Sequence, residues 1–434
     1  MDQVALEQVI SPAGRAQISS VAADLAAGVD SLAVLTRLRT RFDSDVAREI
    51  LAQAQLQKKA AAKLGARSVG LVLLPESLEQ ASRAEVADSR ARRLVAAGVT
   101  ELTDAGAGLG ADSLAYAAAG LRVRAIEHDP SIAAVLRVNA ASAAPGAVRV
   151  LEGDALDLLP DSGSVQLSGS VEVLQGDALE LLPDSGVVYF DPARRADGRR
   201  IFDPELCSPP LSALVAAHER GLTVVAKMSP SLNIADIPLG WDADWVSTQT
   251  EQGRSVVEAV LWSPPLGTGV RRAIVLGGGT EHHLTSAHPS GDIEHQRGSG
   301  FDPDRATDRI GRYVYEPDGA VNQADLVGEL AQQLDAQLIE PRIAYLTGDV
   351  AIDTPFAHRY EVLEQLPWSK RGLARALASY DASDLVIKKR GITVDPTALR
   401  KELLPRLRSR SGEPLVVILT PHQGRRLALL TRAA

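Results

Sequence analysis

From Thr100 to about Val275, short apolar runs alternate with helical stretches, and this alternation constrains the fold of the 434-residue chain more than any other feature. The runs are Glu101–Ala105, Leu121–Glu127, one or both of Val148–Leu151 and Val171–Leu174, Val187–Phe190, Leu222–Met228 and Val256–Trp262. Strands separated by helices build a parallel sheet covered on both faces, because a parallel connection needs a crossover long enough to hold a helix. Ahead of this region, residues 1 to about 95 repeat Ala, Leu and Val at three- and four-residue spacing through Val21–Leu38 and Ala47–Leu64, which predicts helices. One strand-like run, Val69–Leu74, interrupts them. Residues 277–310 hold a glycine triplet, four of the eight histidines and few large apolar residues, the composition of a loop or linker. Beyond Arg312, candidate strands Ile343–Leu346, Leu385–Lys388 and Leu415–Leu419 and candidate helices Gln323–Gln337 and Leu399–Arg408 predict a further α/β unit. The expected division is therefore 1–95 helical, 96–276 doubly wound α/β, 277–311 linker and 312–434 a second α/β region.

Composition removes several classes. A single cysteine, Cys207, excludes a disulfide scaffold, a zinc finger and an iron–sulfur cluster. No metal is expected: His282, His283, His288 and His295 lack a ligand framework around them. No 18-residue stretch is free of charge and the first residues carry no basic, apolar leader, so a cytoplasmic protein without a membrane span is expected. The net charge of −9 is unevenly spread: from Arg359 onward 15 Lys/Arg face 7 Asp/Glu, a net +8, leaving −17 on the first 358 residues. Such polarity marks a candidate nucleic-acid face, with Lys388, Lys389 and Arg390 as candidate phosphate contacts.

The region from 149 to 186 contains a duplication. Arg149–Gly163 recurs 23 residues later as Glu172–Gly186 with three differences, so that Gly-Asp-Ala appears twice, at Asp154 and Asp177. One of the two copies is surplus to a simple alternating sheet, and spacing alone does not say which.

The chemistry concentrates at the ends of the predicted strands. Asp104-Ala-Gly106-Ala-Gly108-Leu-Gly110 follows one strand and opens a helix, where glycines let backbone approach a ligand and a helix start offers free amides. Gly106-x-Gly108-x-x-Ala111 also satisfies a loose dinucleotide fingerprint, so an oxidoreductase is a competing reading at this point. The next strand ends in Glu127, a carboxylate placed to accept from ribose hydroxyls, within Glu127-His128-Asp129-Pro130. A later apolar run ends in Tyr189-Phe190-Asp191-Pro192-Ala193-Arg194-Arg195, at the carboxyl edge where open α/β sheets carry their sites.

In this order the motifs resemble the class I S-adenosylmethionine-dependent methyltransferases, specifically an RNA-methylating branch. Ser77-Leu-Glu79-Gln80-Ala81-Ser82, Tyr315-Glu316-Pro317 and Leu385-Val-Ile-Lys388-Lys389-Arg390-Gly391 extend the resemblance to a bacterial family with an N-terminal helical region and a C-terminal THUMP-like domain, here about 358–434. The resemblance implies a Rossmann-like methyltransferase sheet, S-adenosylmethionine as cofactor, and tRNA or rRNA as substrate docked by the basic domain. It implies that Asp104, Gly106, Gly108 and Gly110 hold the methionine part, Glu127 the ribose, and Asp154 or Asp177 the adenine. Asp191, Pro192 and Arg194 would form the transfer site, with Lys227-Met228-Ser229-Pro230 on the pocket wall. The chain departs from amine-methylating relatives by Ala193 and Arg194 in place of proline and an aromatic. A catalytically degenerate RNA-binding protein and a small-molecule methyltransferase stay open as alternatives, and the oligomeric state is not indicated.

Overall fold

The structure is a computed structural model that describes residues 3–143, 148–150, 170–193, 195–196, 199–200, 202–251, 253–287 and 306–434. Compactness divides it into two units, residues 1–228 with 261–266, and residues 229–260 with 267–434. No described helix is long and apolar enough to cross a membrane.

In the first unit, helices α1 (Gln3–Ile10), α2 (Pro12–Ala26), α3 (Ser31–Leu38), α4 (Ser44–Leu64), α5 (Pro75–Gln80) and α6 (Ala84–Ala96) precede the sheet. Apolar residues at helical spacing set their packing: Val46, Ile50, Ala54 and Leu64 of α4 are all buried. The sheet comprises β1 (Glu101–Ala105), β2 (Arg122–Glu127), β3 (Val148–Val150), β4 (Ser170–Gln175) and β5 (Gly186–Phe190), with α7 (Ala111–Ala118) and α8 (Pro130–Ala143) between strands. A two-residue ribbon pair, β6 (Arg195–Ala196) with β7 (Arg199–Arg200), follows, then α9 (Leu211–Glu219) and β8 (Leu222–Met228). The strand order β8-β5-β1-β2-β4-β3 is parallel throughout. Between β5 and β2 the order reverses around β1, and a cleft opens there at the carboxyl ends.

Val69–Leu74 is not a strand. Leu71, Val72 and Leu73 are extended and buried, but side-chain amides rather than a neighbouring strand take their backbone groups. Gln53 bonds both the Leu73 amide (2.8 Å) and carbonyl (2.6 Å), Gln57 the Leu71 carbonyl (2.8 Å), and Asn139 the Val72 amide (2.8 Å) and carbonyl (3.0 Å). Both copies of the duplicated segment contribute a strand. The second copy's β4 pairs directly with β2, and the first copy's β3 lies outside it at the sheet edge.

The second unit holds β9 (Asp242–Thr250), β10 (Gly253–Trp262, up to Val260), β11 (Arg271–Gly277) and β12 (Thr280–Thr285), in the order β12-β11-β9-β10. It continues with β13 (Tyr313–Pro317), α10 (Gly319–Gln323), α11 (Val327–Gln333), β14 (Gln337–Glu340), β15 (Ile343–Gly348), β16 (Ala357–Pro367), α12 (Lys370–Leu377), β17 (Leu385–Lys389), α13 (Pro396–Leu403), β18 (Leu415–His422) and β19 (Arg425–Ala433). Compactness thus breaks at Met228 rather than near residue 276. Within this unit the Asp318 carboxylate accepts from Ser247 (3.0 Å) and Arg271 donates to the Ala324 carbonyl (2.7 Å), tying β9 and β11 to the segment after β13. The glycine triplet expected in a linker is instead a hairpin turn. Gly277 pairs with Thr280, while Gly278 (φ 59°) and Gly279 (φ 78°) take the two positive-φ turn positions that suit a twisted hairpin. His282 and His283 therefore lie on β12; His288 and His295 fall outside the described residues.

A seven-stranded sheet, β14-β15-β13-β16-β19-β18-β17, forms the rest, antiparallel except for β17 with β18. One face packs Leu373, Leu377, Leu399, Leu403 and Leu407 of the α12–α13 layer onto Leu385, Leu415, Val417 and Leu430. The other buries Val314, Ile339, Tyr345 and Ile418.

Candidate cofactor and transfer site

A cleft of about 560 Å³ runs along the carboxyl ends of β1, β2 and β5, the size of an ordinary small-ligand pocket. Residues 104–109 and the first turn of α7 form its floor, Glu127 and His128 one side, Asp177–Leu179 the next. Asp191 and Ala193 after β5, Ser208–Pro210, and Ser77, Gln80 and Ala81 of the helical region complete the lining.

The glycine turn has the shape its sequence implies. Gly106 (φ 91°) and Gly108 (φ 56°) adopt positive φ, and a Cβ on either would face open space, so a ligand can reach their backbone. Gly110 (φ 85°) is not on the cleft wall. It caps α7, and a Cβ there would collide with Leu136 of α8, so its part is to let the helix pack closely. The Gly108 amide donates to one Glu127 oxygen (2.8 Å) and the Asp129 amide to the other (3.0 Å), which holds Glu127 against the cleft. Asn139, fully buried on α8, donates to the Leu109 carbonyl (3.2 Å) while it clamps Val72, joining the glycine turn to the helical region.

Asp104 is strongly perturbed. Burial pushes its carboxyl up to about 8, against the Ser113 hydroxyl bond that favours the charged form, with Asp112 and Asp191 raising it further and Arg90 opposing. Its Oδ2 accepts from Ser113, while Oδ1 is buried without a partner on the cleft floor. Asp112, in the first turn of α7, behaves oppositely. Burial alone would raise it, but the buried Arg90 guanidinium, Lys227 and the Ser82 hydroxyl (3.1 Å) outweigh burial and hold it below the usual carboxylate range. Tyr189 also donates to Asp112 (3.3 Å), and burial raises both Tyr116 and Tyr189 far above the usual phenol value, so both stay protonated.

This set suits a cationic ligand carrying ribose hydroxyls. An unpartnered buried carboxylate oxygen awaits a donor, two glycines leave room for backbone contact, and Glu127 and Asp177 supply further acceptors on the same wall. The structure gathers Asp104, Gly106, Gly108, Glu127, Asp177 and Asp191 around one cleft. Pro192 is buried behind Asp191, and Cys207 is buried. Asp154 and Arg194 lie outside the described residues.

Lys388 and Lys389 end β17 of the seven-stranded sheet, and Arg390 follows them. Two of them are engaged and only partly exposed. Lys388 pairs with Glu316 of the Tyr315-Glu316-Pro317 motif, and Arg390 donates to the Ala344 carbonyl (3.0 Å) with its guanidinium 4.9 Å from the Tyr345 ring centre. Lys389 is exposed. Two motifs 72 residues apart are thus halves of one ionic cluster, which Tyr360 completes by donating to Glu316 (3.2 Å). The sequence assigns no role to Arg90 or to Asn139, which closes the helix after Glu127–Pro130, because a buried Asn or Arg inside an amphipathic helix carries no periodic signal of what it does.

Residues 357–433 match the model of the THUMP domain-like family. An otherwise uncharacterized S-adenosylmethionine-dependent methyltransferase, found in two strains of Mycobacterium tuberculosis, is 32% identical over 391 residues, 88% of this chain and 95% of the relative. A crystal structure from Porphyromonas gingivalis W83, assigned as a methyltransferase, has the same fold with a TM-score of 0.71 at 23% identity, over 96% of this chain and 98% of that one. The chain belongs to the S-adenosylmethionine-dependent methyltransferases and, with a THUMP-like domain over 357–433, is an enzyme that uses S-adenosylmethionine as its cofactor.

Proposed function

We propose that the enzyme methylates RNA, with the glycine-turn cleft carrying cofactor and target and the C-terminal domain gripping the RNA backbone. When bound, S-adenosylmethionine supplies a methyl group on a sulfonium, ready for in-line displacement, so the protein's contribution is mainly positioning. Asp104 and the backbone of Gly106 and Gly108 would hold its methionine end and Glu127 its ribose. Asp177 would take the adenine amino group. In support, Gly176 donates to the Glu127 carbonyl (3.1 Å), which carries the second Gly-Asp-Ala copy straight from β4 into the cleft wall. Asp191 would accept a hydrogen bond from the nucleophilic group of the target and hold it in line.

The observation that carries the RNA reading is the outer surface of the α12–α13 layer. Leu373, Leu377, Leu399, Leu403 and Leu407 face the sheet, which leaves Arg371, Arg375, Lys401, Arg406 and Arg410 exposed on the opposite side. We assign the phosphate contacts to these residues and to Lys389, in place of Lys388 and Arg390. The test is nucleoside mass spectrometry of tRNA and rRNA from a strain lacking the protein. A methylated nucleoside that vanishes and returns on complementation supports the assignment; an unchanged RNA profile with methyl transfer to protein or metabolites removes it.

A further inference from the structure

The register of the first sheet places Lys227 beside Asp191. Phe190 pairs with Ala226 in parallel, so the next residue of each strand, Asp191 and Lys227, emerges at the carboxyl edge side by side. The Lys227 ammonium is buried, 2.7 Å from Asp191 Oδ2, and donates to the Gln80 carbonyl at 2.9 Å. Gln80 is the last residue of α5, the helix whose Ser77 and Gln80 line the same cleft as Asp191. A second lysine grips the same helix end: Lys63 of α4 donates to the Leu78 (2.8 Å) and Glu79 (2.6 Å) carbonyls. Cations at a helix C-terminus satisfy carbonyls that have no partner within the helix. Lys227 differs from Lys63 in that its other bond reaches the strand-end carboxylate. One ammonium thereby links two adjoining parts of the cleft lining.

We propose that Lys227 is a positioning residue for methyl transfer: it fixes the orientation of Asp191 and locks the Ser77–Ala81 wall at a set distance from it. With Oδ2 held by Lys227, Oδ1 is the oxygen left to receive the target. Lys227 is not among the cleft-lining residues, so it acts through Asp191 rather than on substrate. A lysine suits this part because its three donors can serve a carbonyl and a carboxylate at once. The inference rests on the reading of Asp191 as the target-holding group.

The test compares the full-length wild type with Lys227→Met, Asp191→Asn and the double variant. Cofactor affinity is measured by calorimetry. Transfer is measured with methyl-tritiated S-adenosylmethionine at saturation, in lysate of a strain lacking the protein, with label counted separately in RNA, protein and small-molecule fractions. Lys227→Met is expected to keep its affinity for S-adenosylmethionine while transfer at saturation falls by about a hundredfold, the scale of a small misplacement of a reacting group. The double variant is expected to transfer no more slowly than Asp191→Asn alone, because two residues acting as one unit do not add. It also keeps the test open if Lys227→Met fails to fold, since it leaves no stranded charge. Wild-type transfer by Lys227→Met, a loss matched by lost cofactor affinity, or additive losses in the double variant would each overturn the proposal. Full transfer by Asp191→Asn overturns the reading of Asp191 and this inference with it. Label in protein or metabolites instead of RNA removes the RNA substrate but leaves the Lys227 comparison readable. No label in any fraction with the wild type counts against both.

Discussion

Asp104→Asn should change the pH dependence of both folding and cofactor binding. Burial holds the folded Asp104 carboxyl at about 8, whereas the ordinary value is 3.8. Below both values the group is protonated in either state and contributes nothing. Between them the unfolded chain ionises while the folded protein keeps its proton, so the folded state binds more protons and stability falls as pH rises. The slope is about 1.4 kcal/mol per pH unit, and it flattens above pH 8. From pH 5 to pH 7 the wild type should lose about 3 kcal/mol relative to Asp104→Asn, whose amide stays neutral throughout. Urea unfolding of both proteins at the two pH values isolates this difference, because every other titrating group is shared. The same proton governs the cofactor. A cation placed against the unpartnered Oδ1 favours the carboxylate, so binding near neutral pH should release up to about one proton. Calorimetry in phosphate and in Tris, whose ionisation heats differ, measures that release, which Asp104→Asn should abolish. Parallel pH–stability curves for wild type and variant, or binding heats independent of buffer, would refute the account of Asp104.

Three further outcomes are expected. Asp177→Ala should weaken S-adenosylmethionine binding, whereas deletion of Arg149–Val171, which removes one repeat length and the edge strand β3, should leave it intact; calorimetry decides, and the reverse pattern would assign the adenine contact to Asp154. Asn139→Leu should cost about 2–4 kcal/mol, because it strands the buried Val72 amide and carbonyl, and should also lower cofactor affinity by freeing the Leu109 end of the glycine turn. Thermal unfolding and calorimetry measure the two effects. Charge reversal at Arg371 and Arg375 should flatten the salt dependence of tRNA binding in a filter assay, while Lys388→Met should leave that slope unchanged and destabilise the domain by removing the short ion pair of Glu316, which keeps Arg390 and Tyr360.

Period-2 and period-3.6 apolar patterns respond to burial along one element, and local burial was enough to place most of the parallel strands of the first unit. Glycines are equally legible, since positive φ at Gly106, Gly108 and Gly110 is a conformation that glycine adopts at the least steric cost. The motif order, from Asp104 through Glu127 to Asp191, likewise carried the family and the cofactor. Where local pattern misled, the backbone's partners lay outside the misread segment. Val69–Leu74 has the composition of a strand, yet amides from Gln53, Gln57 and Asn139 take its hydrogen bonds. Gly277–Gly279 has the composition of a linker, yet pairing between β11 and β12 makes it a hairpin turn.

The sequence alone determined that this chain alternates strand and helix around a glycine turn, carries acceptors at successive strand ends, and bears a basic C-terminal region. Tertiary structure decided which charges are spent and which are available. Lys388 and Arg390 read as free cations until the sheet brings Glu316 between them, 72 residues away in sequence from Lys388. Lys227 reads as part of a pocket wall until strand register sets it against Asp191 and a helix end delivers the Gln80 carbonyl. The two copies of Gly-Asp-Ala are indistinguishable by spacing; the pairing of β4 with β2 brings Asp177 to the cleft. The physical reason is common to all three. Charge pairing and desolvation depend on distance through space, and that distance exists only once non-local strands have paired.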